Sequence, residues 1–96
     1  MASFRLSVKA EEDLVSIYFY GILHFGYTQA NKYVLGLEET LTKLTQSPFM
    51  GKQSDLVSKG LRSFVYKSHM IFYQLEDKNI LIVRILNQSR DYDFFL

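Results

Sequence analysis

The sequence contains no cysteine and no tryptophan, and it has one proline among its 96 residues. Without cysteine the chain has no disulfide, no catalytic thiol and no sulfur-ligated zinc or iron–sulfur site, which is typical of a reducing cytosol. An excess of charge is also missing, because eleven Lys and Arg face ten Asp and Glu, for a net charge of +1. Since this charge gives no general attraction to nucleic acid or membranes, any basic site must be local.

Long apolar runs are absent as well. No segment approaches the roughly 18 residues of a membrane-spanning helix, and the N-terminal MASFRLSVKAEED lacks the apolar centre of a signal peptide. We therefore expect the whole chain to be the mature protein, in the cytoplasm and without a membrane partner. What the chain does have is 48% hydrophobic and 16% aromatic residues. At this length, that content predicts one domain, residues 1–96, with a single core.

Hydrophobic spacing divides the chain into one short strand, two helices and three further strands. SFRLSV at 3–8 alternates as a half-buried strand does, and the spacing is helical from about Lys9 to Gly26. Thr28 is a candidate N-cap for a second helix, which ends at Ser47-Pro48. Residues 48–59 predict a loop, and LRSFVY, HMIFYQL and ILIVRIL then follow as strands joined by tight turns. The predicted fold class is α+β, of order β-α-α-β-β-β: a helical hairpin packs on one face of a small sheet that ends in an antiparallel meander.

Pairing of Tyr66 with His69, and of Leu75 with Ile80, divides the meander into two faces. One face is mostly apolar and is expected to pack on the helices; it carries Leu61, Ser63, Val65, Met70, Phe72, Gln74, Leu81, Val83 and Ile85. The other is apolar, aromatic and basic, and we interpret it as a binding surface; it carries Arg62, Phe64, Tyr66, His69, Ile71, Tyr73, Leu75, Ile80, Ile82, Arg84 and Leu86. The alternative for its two arginines is a structural role, in which their heads reach acidic residues of the tail or loop.

The first helix has more apolar residues than one buried face requires. Its core stripe contains Leu14, Ile17, Tyr18, Ile22 and Phe25. A second face carries Val15, Phe19 and Leu23 at i, i+4 and i+8. Because a soluble monomer seldom exposes such patches, we expect a tight protein partner or self-association. The alternative is that the C-terminal Phe94, Phe95 and Leu96 fold back over one patch.

Four features of the C-terminal half follow one another in a characteristic order: Leu61-Arg62 at the start of a strand, SHMIFY at 68–73, ILIVRIL with Arg84 near its end, and Arg90-Asp91. This order resembles the C-terminal half of ParE-type toxins of the ParE/RelE superfamily. In the N-terminal half AEEDLVSIYFYG at 10–21 and the segment at 25–51, with its Pro-x-x-Gly exit, are similar to the family's helical hairpin. The resemblance covers nearly the whole chain and depends on the order and spacing of these segments.

The resemblance implies a toxin of a type II toxin–antitoxin system. A cognate ParD-like antitoxin would cover the hairpin and the sheet, and members of the ParE branch bind DNA gyrase and hold it on cleaved DNA. Sequence-specific DNA binding is expected from the antitoxin and not from this chain. The expected antitoxin contacts are Leu14, Val15, Tyr18, Phe19, Leu23, Arg62, Phe64, Tyr66, Tyr73 and Arg84. The expected target contacts are Arg90, Tyr92, Phe94 and Phe95.

Candidates for catalysis are few. The alternative function is a ribosome-dependent endoribonuclease of RelE type, which needs an acid, a base and cations for the phosphate; its candidates are Arg62 and Arg84 for the phosphate and Tyr92 or Tyr73 as a weak acid or base. Asn87 stands where many relatives of both branches carry His, and an amide does not titrate near neutral pH. His24 and His69 have no carboxylate partner in sequence, and their spacing does not suit a metal site. We expect no catalytic residue, metal or cofactor, and an inactive member that only binds an antitoxin is a third hypothesis.

Overall fold

The computed structural model describes residues 3–55 and 57–88. Its elements are β1 (Ser3–Leu6), α1 (Val8–Phe25), α2 (Tyr27–Gln46), β2 (Lys52–Gln53), β3 (Leu61–Tyr66), β4 (His69–Leu75) and β5 (Asn79–Asn87). The predicted order β-α-α-β-β-β is confirmed, and the two-residue β2 is an addition inside the segment predicted as a loop. Neither helix within the described ranges is long and apolar enough to cross a bilayer.

The strands form one mixed sheet of order β1-β5-β4-β3-β2. β1 lies parallel to β5, while β2, β3, β4 and β5 pair antiparallel along the sheet. The helical hairpin is the crossover that a parallel pair requires, since parallel strands cannot be joined by a tight turn. Both predicted turn pairings are confirmed: Tyr66 lies opposite His69, and Leu75 lies opposite Ile80.

Two residues fix the ends of α1. The Ser7 hydroxyl accepts a hydrogen bond from the Ala10 amide at 3.0 Å and donates one to the Val83 carbonyl at 2.7 Å, so the cap also attaches the helix to β5. Gly26 ends α1 as predicted, with a φ of 87° that favours glycine. The same residue precedes α2, which begins at Tyr27 without a side-chain cap. The prediction of Thr28 as the N-cap is therefore wrong.

The sheet face that packs on the helices is the opposite of the predicted one. Ile71, Tyr73, Ile80 and Ile82 are buried in one cluster with residues of both helices, Ala10, Leu37, Leu41 and Leu44. Leu61 and Phe72, expected against the helices, belong to a second cluster with Leu86, Val57, Met70 and Val83. Both faces of the meander are rich in apolar residues, so side-chain alternation separates the faces without showing which one meets the hairpin.

A β-bulge interrupts the alternation of β5. Tyr73 lies opposite Ile82 and Phe72 lies opposite Arg84, which leaves Val83 as the extra residue. After the bulge Ile85 takes its place in the helix-facing cluster, as predicted for that residue, whereas Leu86 joins the second cluster. Regular alternation would place Arg84 on the helix-facing side with Ile80 and Ile82. After the bulge Ile85 takes that side, and the Arg84 side chain still reaches α1.

Candidate interaction surface

The outward side of α1 is an apolar stripe, which we define as Val8, Val15, Phe19 and Leu23. At 100° per residue these four positions lie on one side of the helix, opposite the buried Ala10. Their exposed fractions are 72%, 55%, 59% and 83%. The predicted second apolar face of α1 is therefore present and open to solvent. Leu14 and Tyr18 are half-buried, and Leu14 packs against the helix-facing core.

Arg84 is bound to α1. Its Nε and one terminal nitrogen donate to the two oxygens of Asp13, both at 2.9 Å, and the Ile85 amide donates to the same carboxylate at 2.9 Å. The two side chains are only 13% and 12% exposed. The hydrogen bond to Asp13 raises the pKa of Arg84. Arg84 therefore has a structural contact, as the alternative expected, although its partner lies on α1 and not in the tail or loop. Its expected antitoxin contact stays a prediction.

Arg62 and Tyr73 hold the loop at Pro48–Gly51, which we call the apical loop. Arg62 donates to the carbonyls of Phe49 at 3.2 Å and Gly51 at 2.7 Å, and its guanidinium lies 5.2 Å from the centre of the Phe49 ring. The Tyr73 hydroxyl donates to the Pro48 carbonyl at 2.8 Å and accepts from the Gly51 amide at 2.9 Å. A Cβ at Gly51 would lie 2.2 Å from that hydroxyl, so this close approach requires glycine.

These contacts correct the predicted basic and aromatic binding surface. Tyr73 is fully buried beneath the helices, and Phe64 and Tyr66 are half-buried against the same core. Arg62 and Arg84, expected to hold a phosphate or a carboxylate of a partner, instead fasten the apical loop and α1. The face that looked too apolar for solvent is mainly interior.

A tyrosine–histidine cluster closes the β3–β4 end of this face. The Tyr33 hydroxyl lies 2.6 Å from Nδ1 of His69 and accepts the Ser68 amide at 3.3 Å, while the Tyr66 hydroxyl donates to the Tyr33 carbonyl at 3.3 Å. The Lys67 ammonium lies 5.9 Å and 5.5 Å from the centres of the Tyr33 and Tyr66 rings. Burial lowers the pKa of His69, against a smaller opposite effect of Asp13. His69 is thus held as a packing and hydrogen-bonding residue.

Two features were missed by the sequence predictions. One is a groove beside α1, made of two adjoining cavities of about 390 and 430 Å³ that share Ile17, Tyr20, His69 and Asn87. The other is the tip of the apical loop, where Phe49 is 72% and Met50 is 45% exposed. The two apolar residues between Pro48 and Gly51 were the available signal for this tip, because turn residues on both sides place them at the surface.

The remaining predictions concern the C-terminus and metals. Arg90, Tyr92, Phe94 and Phe95, the expected target contacts, lie outside the described residues. Within ranges 3–55 and 57–88 no group of three or more His, Asp or Glu side chains has the arrangement of a metal site.

Comparisons with known proteins agree with this architecture. The family model described as ParE toxin of type II toxin-antitoxin system, parDE, matches residues 4–92. Toxin ParE1 of Caulobacter vibrioides is 33% identical over 89 residues, which cover 93% of this chain and 92% of that protein. Toxin ParE1 of Mycobacterium tuberculosis is 28% identical over 91 residues, which cover 94% of this chain and 93% of that protein. A solved structure, the chromosomal ParDE TA system from P. aeruginosa, superposes with a TM-score of 0.79 at 26% identity, over 91% of this chain and 96% of that one. The chain therefore belongs to the ParE toxin family.

Proposed function

We propose that this ParE family toxin acts by binding: it holds DNA gyrase on cleaved DNA until a ParD-like antitoxin covers it. Membership of the ParE family supports a role in a toxin–antitoxin system and supports gyrase as the proposed target. The observation that carries the proposal is the exposed apolar stripe of α1, which has no use in the described core. A toxin that must be bound tightly by a second protein requires such a surface.

The stripe has the form of a docking site for an amphipathic segment. Val8 and Leu23 are fifteen positions apart, which corresponds to about 22 Å along a helix. Apolar residues at this spacing fit a helix or an extended peptide laid along α1. The solved structure to which this chain is similar is a chromosomal ParDE TA system. Val15, Phe19 and Leu23 are the proposed central contacts, and the half-buried Leu14 and Tyr18 are the proposed margin.

The engaged side chains favour binding over catalysis. An endoribonuclease of this fold needs cations that are available to the phosphate in the transition state. Arg84 is committed to Asp13, and Arg62 is committed to two carbonyls of the apical loop. The hydroxyl of Tyr73 is buried and makes two hydrogen bonds with the same loop. These contacts support a toxin that inhibits its target as a protein ligand.

The test of the target is a cleavage assay with purified gyrase, supercoiled plasmid and ATP, with and without this protein. After denaturation, a gel reports linear DNA, and we expect linear product that depends on the toxin. No linear product and normal supercoiling, with folded toxin, would contradict the gyrase proposal. Cleavage of messenger RNA on ribosomes in that case would favour the endoribonuclease.

The test of the antitoxin surface is a pair of matched substitutions. Leu23→Ala on the stripe should weaken binding of the cognate antitoxin about tenfold, since burying a leucine side chain in an interface contributes more than about 1.4 kcal/mol. Leu75→Ala removes the same atoms at the end of β4, where the side chain is 39% exposed, and should leave the affinity unchanged. Equal affinities for the two variants would place the antitoxin elsewhere.

A further inference from the structure

The apical loop is fixed by side chains of the sheet beneath it. Arg62 and Tyr73 make four hydrogen bonds with Pro48, Phe49 and Gly51, and the Met50 amide donates to the Ser47 carbonyl at 2.9 Å. Fixing each backbone residue of such a loop costs conformational entropy. The loop nevertheless presents its two largest side chains to solvent.

A rigid, exposed aromatic side chain is suited to association. Phe49 is supported from one side by the Arg62 guanidinium, 5.2 Å from the centre of its ring, and Met50 stands next to it. Because the backbone beneath Phe49 and Met50 is already fixed, binding of a partner to these side chains costs little further conformational entropy. Aromatic side chains with this preorganisation are the usual anchors of protein interfaces.

The charges around the loop indicate the chemistry of the receiving surface. Within three residues of the apical loop Lys52 is the one charged side chain, Arg62 adds a second cation beneath Phe49, and Asp55 stands four residues beyond Gly51. Lys43 lies in the last turn of α2, and Lys52 begins β2 directly after Gly51. An apolar tip flanked by cations is complementary to an apolar pocket with an acidic rim.

We propose that the apical loop is a second contact site, which inserts Phe49 and Met50 into an acid-rimmed apolar pocket on the target protein. This inference rests on the proposed function, since it assigns the loop to the gyrase target. The loop is fastened to β3 and β4 through Arg62 and Tyr73, whereas the α1 stripe belongs to a helix that packs on α2 and β5. The toxin thus has separate surfaces for its target and its antitoxin.

The first test compares Phe49→Ala with wild-type toxin in the gyrase cleavage assay. We expect the toxin concentration that gives half-maximal linear product to rise at least about tenfold. Leu75→Ala should behave as the wild type. Because Phe49 is 72% exposed, the variant should keep its thermal midpoint and its affinity for the antitoxin, which shows that it is folded. Unchanged poisoning by Phe49→Ala would overturn the inference, while failure of the wild-type toxin would overturn the proposed function instead.

The second test addresses the acidic rim. Lys52→Glu reverses a charge beside the loop and should raise the half-maximal concentration more than Lys78→Glu, which reverses an exposed charge in the β4–β5 turn. Equal effects would contradict a rim of opposite charge. A gel-shift experiment with plasmid DNA and no gyrase tests whether the loop binds nucleic acid instead of a protein. DNA binding that Phe49→Ala abolishes would replace the acidic protein pocket with nucleic acid and overturn the inference.

Discussion

The helix-facing side of the sheet and the outward side of α1 have similar apolar content and opposite fates. Ile71, Tyr73 and Ile82 are fully buried beneath the hairpin, whereas Phe19 and Leu23 are exposed on α1. The sheet lies under a second layer that absorbs its apolar side chains. The helical hairpin is that second layer. The side of α1 that contains Ala10 packs on the sheet, and no further layer of the described residues covers the opposite side, so Phe19 and Leu23 face solvent. In this chain the apolar residues of the helix-facing sheet are covered, whereas those on the outward side of α1 form an exposed patch of the kind that is typical of a binding surface.

The largest expected effect comes from truncating one aliphatic side chain in each region to alanine. Ile82→Ala deletes atoms from a fully buried side chain, so we expect the free energy of unfolding to fall by about 3 kcal/mol. Leu23→Ala acts at a side chain that is 83% exposed and should change it by less than about 0.5 kcal/mol. Urea denaturation of both variants gives the two values. Similar losses would show that α1 buries its outward side in the isolated chain.

The next effect concerns the contact that fixes α1 over the sheet. Asp13→Asn removes the charge that pairs with Arg84 and replaces the carboxylate, which also accepts the Ile85 amide, with an uncharged carboxamide. Both side chains are mostly buried, so we expect a loss of about 2 kcal/mol in the free energy of unfolding. Asp77→Asn in the exposed β4–β5 turn is the control. A loss no larger than that of the control would mean that solvent replaces the ion pair.

Sequence patterns predicted the elements well because each element depends on local spacing. The pairings of Tyr66 with His69 and Leu75 with Ile80 follow from short turns and were correct. Which face of the sheet packs on the helices depends on the side on which the hairpin crosses. Because both faces are apolar, the alternation of side chains does not predict that side. The ion pair of Arg84 with Asp13 on α1 was not predicted because the face that carries Arg84 was assigned to a binding surface and not to the helices, and the bulge at Val83 is a further shift that no residue type marks.

The candidate site was predicted in part for the same reason. The α1 stripe is a periodic feature of one helix, and its exposed Val15, Phe19 and Leu23 were identified from spacing alone. The apical loop depends on contacts between residues that are far apart in sequence, such as Tyr73 with Pro48. Only the three-dimensional arrangement shows that Arg62 and Tyr73 act on this loop.

A smaller effect is expected when the hydrogen bonds of the Tyr73 hydroxyl with the apical loop are removed. Tyr73→Phe keeps the buried ring and leaves the Pro48 carbonyl and the Gly51 amide without their partner, so we expect a loss of about 1–2 kcal/mol in the free energy of unfolding. Hydrogen exchange at the Met50 and Gly51 amides should accelerate as the apical loop loosens. Tyr66→Phe removes one longer hydrogen bond of a half-buried ring and should cost less. Equal costs would contradict a special attachment of the loop by Tyr73.

The smallest expected effect is a pH dependence of the free energy of unfolding. It distinguishes His69 on β4 from His24, which is exposed on α1. Burial lowers the pKa of His69 below its ordinary 6.5, so the folded chain binds this proton less readily than the unfolded chain. The groups near it are the Tyr33 hydroxyl, the Lys67 ammonium over the Tyr33 ring and the Asp13 carboxylate, which opposes the shift. The stabilising contribution of neutral His69 is complete above pH 6.5 and declines as the pH falls from there towards the folded pKa.

Urea denaturation at about pH 7.5 and about pH 5.5 measures this dependence in the range where histidine titrates. His69→Gln, whose amide retains a hydrogen-bonding group for Tyr33, should reduce the loss of stability on acidification. His24→Gln changes the exposed histidine of α1, which stacks on Tyr20 at 4.1 Å between ring centres, and should leave the loss as in the wild type. If His24→Gln reduces the loss and His69→Gln does not, the proton that destabilises the fold binds on the helix. In that case, burial beneath the hairpin does not account for the acid sensitivity of the chain.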